Sequence, residues 1–387
     1  QLEQEKQQRE QADAAREQTQ SQLEQEKQQR ELAEAQLEKT TLYEYLFYCH
    51  LYLTKPMQVG SADKSTQGTT TKVTGRCYPG KILPWEDFLK SQEDQFNRLR
   101  HIFGEERLFT PRSHIESLGE KVCRKELRSE DDLKIHQHSA IQIPVEDIFS
   151  VRSQHLDWED LNIGNGLVFE NHENALKNSS KEVEGASQSL FKSLPKDQLC
   201  SFIYRGGVHR LAFIIEYKAP HKISVEQFRE ALCKPNLCQD VVNLGIISND
   251  ATLKAQEKAN KIAAMILTQI FHYMVEKRLP YSYISTGEAF VFLQIKEDEE
   301  KTVYYHVIAR EDASLPDVPD SSDIHARRPS IFNTPVNQVA CFCLTALQSE
   351  RFSHGWQVKA KHVLPTWPDR LEDTGRDDSS VIDDGGK

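Results

Sequence analysis

The run Leu211-Ala212-Phe213-Ile214-Ile215, which leads straight into Glu216-Tyr217-Lys218, sets the tightest limit on what this chain can fold into. Five consecutive apolar residues of this kind read as a strand covered on both faces. Side chains along a strand alternate, so Glu216 and Lys218 share one face and Tyr217 takes the other. A carboxylate and an ammonium group at the end of a buried strand need partners, because charges are rarely buried alone.

The preceding residues supply a second carboxylate. Gly206-Gly207 fits a two-residue primed turn, where both positions take positive φ. With Arg205 facing Val208, counting back along both strands sets Asp197 opposite Glu216 on the same face. Opposed residues have Cβ atoms about 4.5–5.5 Å apart. Two carboxylates that close repel unless a cation or a proton lies between them. A hard divalent cation, Mg2+ or Mn2+, meets that need with oxygen ligands, and Lys218 beside it would orient an attacking water or steady charge on a phosphate. The pattern predicts metal-assisted phosphodiester hydrolysis, with Asp197 and Glu216 as metal ligands. An ordinary ion pair of Lys218 with Asp197 or Glu216 accounts for the same spacing, and spacing alone leaves both readings open.

The surrounding pattern is mixed α/β from residue 140 onward. A helix is expected over about 144–156, with Pro144 suited to its first turn. Strands are expected at 167–170, 199–205, 209–218, 281–295 and 303–308, the last two joined by the charged turn 296–301. Between them a long helix spans about 252–278, stopped by Pro280. On that helix Lys254, Lys258 and Lys261 fall at i, i+4 and i+7, and Gln269 and His272 continue the stripe. Ala263, Ile266, Leu267, Ile270, Phe271 and Met274 form the opposite side and are expected to pack on the sheet. The basic stripe suits an approaching phosphate backbone; a solvated lysine face reads the same way.

The outer segments are simpler. QLEQEKQQRE occurs at residues 1–10 and again at 22–31, an offset of three heptads that presents the same helix face twice. The seam is poor, since Leu2, Arg9, Arg16, Leu23, Arg30 and Leu37 occupy one heptad position. A weakly self-associating coiled coil and a solvated single helix both fit. Residues 54–82 read as a Gly/Thr/Ser/Lys loop, 84–135 as a layer of short amphipathic helices, and 311–330 as a linker. A last helix is expected at 336–348, and disorder beyond 369. This divides the chain into a coiled-coil-like helix (1–40), a helical region and loop (41–139), an α/β core (140–310), and a linker, helix and tail (311–387).

Composition excludes little but shapes the rest. The formal net charge is -11, so nucleic-acid binding depends on a local basic surface. The eight cysteines are scattered without paired zinc-site spacing, which favours reduced thiols in a cytosolic or nuclear setting. The apolar stretch 42–53 is short and carries Glu44 and His50, so no membrane span is expected. Glu288 sits in an apolar stretch and is expected to be structural. His136, His138 and His172 complete no ligand set.

Asp197, Glu216-x-Lys218 and Gln269-x-x-x-Tyr273 together resemble the RecB-like branch of the PD-(D/E)XK nuclease superfamily. The stretches FENHENAL, DQLCSFIYR, IIEYKAPHK, LTQIFHYMVEKRLPYSYISTGEAFVFL and VYYHV are similar to a fungal group that joins such a domain to a kinase-like one. With its coiled-coil start, the chain resembles the Spok-type spore-killing proteins of filamentous fungi over roughly residues 40–365. The resemblance implies an α/β fold: a restriction-endonuclease-like core behind a helical N-terminal layer and a coiled-coil-like helix. It implies Asp197 and Glu216 as metal-binding carboxylates, Lys218 as the catalytic lysine, and Gln269 with Tyr273 as the supporting helix pair. A third carboxylate is expected from the helix before the first core strand, with Glu146 the first choice and Glu170 the second. Lys222, in IIEYKAPHK, joins Lys254, Lys258 and Lys261 as nucleic-acid contacts.

No kinase Gly-rich loop, HRD or DFG is present, so the resemblance implies the portion upstream of the kinase, on the killing side of meiotic drive. The expected substrate is DNA, with RNA as the alternative, met in the cytoplasm and nucleus, with self-association through the N-terminal helix. The competing expectation is an inactive nuclease-fold module that binds nucleic acid or serves as an oligomerising scaffold.

Overall fold

The computed structural model describes residues 16, 18–31, 34, 37–61, 72–151, 166–170, 198–203, 209–244, 251–313 and 331–369. Seven strands form one sheet: β1 (Lys81–Pro84), β2 (Gly166–Glu170), β3 (Gln198–Ile203), β4 (His209–Tyr217), β5 (Tyr281–Ser285), β6 (Ala289–Gln294) and β7 (Thr302–Ala309). Across the sheet they run β1-β7-β6-β5-β4-β3-β2. The pairs β4–β5 and β1–β7 are parallel and the others antiparallel.

The described helices are α1 (18–31), α2 (Leu42–Tyr48), α3 (Phe88–Phe103), α4 (Arg112–Val122), α5 (Glu130–Gln137), α6 (Ile143–Ser150), α7 (Val225–Leu232), α8 (Leu237–Leu244), α9 (Ala251–Lys277), α10 (Pro335–Leu347) and α11 (His354–Val363). Parallel neighbours need a crossover. Between β4 and β5 it is made by α7, α8 and the 27-residue α9.

Strand β4 behaves as its apolar run demands: every residue from Leu211 to Tyr217 is buried. Its two faces meet different layers. Phe213, Ile215 and Tyr217 join Tyr283, Phe292 and Phe342 in a large aromatic core with α2, α6 and α10. The ring centroids of Phe213 and Phe342 lie 5.2 Å apart, and those of Phe292 and Phe342 4.8 Å, within the range of favourable aromatic pairing. On the other face Ile214 packs with Leu199, Leu211, Tyr273 and Leu279. The six α9 residues expected to pack on the sheet, Ala263 through Met274, are all buried there.

Several expectations change. The β3–β4 register at the far end is the predicted one, Gln198 opposite Ile215 and Cys200 opposite Phe213. Nearer the turn it slips by one, with Ile203 opposite His209, because a bulge lies between Cys200 and Ser201. The two-residue turn expected at Gly206-Gly207 lies outside the described residues.

The apolar stretch 281–295 is two strands and not one. Gly287 adopts φ +83, and Thr286 N–H donates to the Ala289 carbonyl at 3.0 Å, closing a hairpin that lifts Glu288 out of the strand. The helix predicted over 144–156 is described as Ile143–Ser150. Residues 81–84, where the expected loop gives way to the expected helical layer, form the edge strand β1, and α11 has no counterpart among the expected elements.

The layer at 41–139 and the helix α10 share their core with β2–β6. Helix α1 is exposed along its length, with Leu23 62% accessible. All eight cysteines are free. No described helix is long and apolar enough to cross a membrane.

Candidate active site

At the end of β4 the chain must place charge against a closed core, and it does so with a compact set of partners. Glu216 is fully buried and Lys218 only 6% exposed. Lys218 Nζ lies 2.5 Å from Glu216 Oε1. Gln269, one face of α9 turned onto the sheet, donates Nε2–H to Glu216 Oε2 at 2.8 Å. The backbone is pinned as well, since Lys218 N–H donates to the Ser285 carbonyl of β5 at 3.0 Å. The structure therefore brings together Glu216, Lys218 and Gln269 as the sequence predicts. Tyr273 follows one turn further along α9, buried against Leu199, Leu211 and Ile214.

A residue the sequence reading passed over completes the cluster. Glu130 opens α5, where Ser129 Oγ caps the helix by accepting from Asp132 N–H at 3.0 Å. Glu130 Oε1 reaches Lys222 Nζ at 2.9 Å and Lys218 Nζ at 3.6 Å. Burial alone would raise the Glu130 carboxyl, but the Lys218 and Lys222 ammonium groups outweigh it and hold its pKa below the ordinary value. Ser-Glu-Asp-Asp at 129–132 marked a helix start in the sequence. Nothing in that pattern tied it to a lysine 88 positions away.

The other sequence candidates fall elsewhere. Asp197, together with residues 171–196, lies outside the described residues. Glu146 Oε1 accepts the Phe169 N–H at 2.8 Å. Burial raises the Glu146 pKa against that hydrogen bond, and its charged neighbours are His138, Asp147 and Glu170. It serves β2 and is not gathered with Glu216 and Lys218. Glu170 pairs with Leu199, which shares the Ile214 face, so alternation puts Glu170 on the Glu216 side of the sheet.

Lys254 and Lys258 are exposed on α9, and Lys261 is half-buried with its pKa lowered by burial. Lys222 is drawn into the Glu130 pair. Glu288 is half-buried, its pKa raised by burial. Among the described residues no three His, Cys, Asp or Glu side chains converge as a ready metal cage.

Comparison with known proteins fixes the lineage. The model of the Spore killer 2 N-terminal domain matches residues 41–193 and 195–368, most of the chain. The chain belongs to this family. A curated relative, "Meiotic driver SPOK2" of Podospora anserina (strain S), is 28% identical over 367 residues, covering 86% of this chain and 46% of the relative. The chain thus spans less than half the length of that relative. No solved structure matches it. The Spore killer 2 N-terminal family match includes the Glu216–Lys218 strand, α9 and Glu130 alike.

Proposed function

We propose that this chain is a metal-dependent nuclease module acting on DNA, and that it supplies the killing activity of a meiotic-drive protein. The observation that carries the reading is the buried Glu216–Lys218–Gln269 cluster, set where an apolar strand ends beside a helix with basic residues. A core can stabilise itself more cheaply with apolar residues than with a buried ion pair. Retaining one at a strand end points to chemistry. The topology supports the reading too: β2, β3 and β4 form an antiparallel run, and β5 joins parallel to β4. That order suits a PD-(D/E)XK core.

The donor chemistry fits a hard divalent cation. Glu216 offers carboxylate oxygen, and Gln198, next to Asp197 in sequence, pairs with Ile215, next to Glu216. Glu216 and Asp197 would hold Mg2+ or Mn2+, and the ion would supply charge to polarise the phosphate and activate water. Gln269 fixes the Glu216 carboxylate by its hydrogen bond. Lys218, held between Glu216 and Glu130, is positioned to orient water or to neutralise charge on the phosphate. Glu130 is the helix-borne carboxylate this reading favours, in place of Glu146.

Plasmid and single-stranded substrates incubated with Mg2+ or Mn2+, and with EDTA, test the proposal. Cleavage should require the metal and fall at least about 10²-fold in Lys218→Ala and Glu216→Gln. Equal cleavage by wild type and Lys218→Ala would remove the assignment.

One observation favours a second reading. Lys218 already neutralises Glu216 at 2.5 Å, as it would in a module that keeps the fold and binds nucleic acid without cutting it. Salt-sensitive binding with no metal-dependent cleavage selects that reading.

A further inference from the structure

Arg76 lies outside the β-sheet, in the segment before β1, yet its side chain lies over Tyr273 of α9. Its guanidinium carbon sits 5.0 Å from the centroid of the Tyr273 ring. Tyr273 is four residues beyond Gln269 on α9, hence on the same helix face, about 5–6 Å away between Cβ atoms. Gln269 in turn grips Glu216.

The position of Arg76 is built, not incidental. Its N–H donates to the Val73 carbonyl at 2.9 Å, and its carbonyl accepts from Trp367 N–H at 2.9 Å. On one side Gly75 N–H donates to the Trp367 carbonyl at 2.9 Å. On the other, Cys77 N–H donates to His272 Nδ1 at 3.4 Å, with Cys77 Sγ at 3.3 Å from the same nitrogen. The backbone is therefore held by the C-terminal segment and by α9 together.

One donor of the side chain lacks an acceptor among the described residues. Arg76 Nη1 is buried and has no hydrogen-bond partner among the described residues. A guanidinium presents five N–H donors in a planar fork that matches phosphate oxygens. Leaving one of them buried without an acceptor is costly, so that donor calls for an acceptor, which a phosphate oxygen would supply. The ring of Tyr273 holds the plane in place from one side.

We propose that Arg76 is a phosphate-binding residue, gripping a phosphodiester of the nucleic-acid backbone beside the one that Glu216 and Lys218 face. The inference rests on the nuclease-fold reading of that site. It gives the basic track two ends. Lys254, Lys258 and Lys261 lie on the N-terminal half of α9, before Gln269, and Arg76 lies beyond it against Tyr273. A strand laid along the helix then crosses the carboxylate site between positive charges, in a chain whose net charge is -11. Arg76 positions the backbone and takes no part in bond breaking.

The test is binding of a fluorescein-labelled 20-base-pair duplex, and of a 20-nucleotide single strand, to the 387-residue chain in EDTA over a salt series. Arg76→Gln should weaken affinity at least about 10-fold and reduce the slope of log affinity against log salt by about 0.9 on duplex. Arg76→Lys keeps a cation over Tyr273, so it should retain the slope while binding more weakly than wild type. Wild-type affinity and slope in Arg76→Gln overturn the proposal, as does an Arg76→Lys slope as low as that of Arg76→Gln. Should Arg76→Gln fail to fold by circular dichroism, Arg76→Lys decides alone: weaker binding with an unchanged slope supports the role, and wild-type affinity overturns it. A wild-type chain that binds neither probe fails the nuclease-fold reading along with this one. Wild-type binding that ignores Arg76 fails this one only.

Discussion

Strand β4 divides into two environments two residues apart. Phe213, Ile215 and Tyr217 enter an aromatic core that is dry and closely packed, whereas Ile214, Glu216 and, just past the strand, Lys218 turn toward α9 and a charged cluster. Both sides are equally buried: Phe213 and Glu216 have no accessible surface. Burial is thus the same on the two faces and the chemistry opposite. One face maximises contact between rings, and the other carries the desolvation cost of a buried ion pair.

The largest effect that probes this contrast falls on the aromatic side. Phe213→Ala should destabilise the fold by about 3–5 kcal/mol, through lost transfer energy and the cavity left among Tyr283, Phe342 and Phe169. Urea unfolding followed by circular dichroism reads it, and a loss under about 1 kcal/mol would mean the core closes around the gap.

The charged side behaves differently. Lys218→Met alone leaves Glu216 buried without its cation and should cost on the order of 3 kcal/mol. The double variant Glu216→Leu with Lys218→Met should recover that loss while remaining inactive. If the double variant is less stable than the single one, the pair holds the fold together and the contrast between the faces collapses.

A smaller effect appears only in acid. His50 and His136, both buried in the N-terminal layer on the aromatic side, have their pKa values pushed down to about 4 by burial. The unfolded chain takes up these protons first, so stability is full above about pH 6.5 and falls as the pH drops toward 4. Each histidine accounts for a loss on the order of 3 kcal/mol across that window. His136→Leu should flatten the decline by that amount, as measured by urea midpoints at pH 7 and pH 4.5. An unchanged acid profile would show that His136 ionises freely.

Much of this was legible in the residues. The run 211–215 with its two trailing charges located both the strand and the site, because a five-residue apolar run has few other solutions and alternation fixes the faces. Helix periodicity set Gln269 on the lysine stripe, and the family resemblance alone implied it as a support for Glu216. What stayed hidden depended on long-range placement. Glu130 reaches Lys218 through the docking of α5 on the sheet, and Arg76 reaches Tyr273 through a segment strapped to Trp367. Neither leaves a periodic trace. The 281–295 stretch read as one strand because apolar composition outweighed Gly287, whose positive φ makes the turn.

Glu146, by accepting the Phe169 N–H, does something besides failing to join the site. Among the described residues, strand β2 ends the sheet on one side, and β1, four residues long and finished by Pro84, ends it on the other. Open margins of this kind recruit extended chains from neighbouring molecules. Here one margin has an amide occupied by a carboxylate and the other stops at a residue with no amide hydrogen to give. An occupied amide and a residue without one both make these margins poorer templates for a further strand.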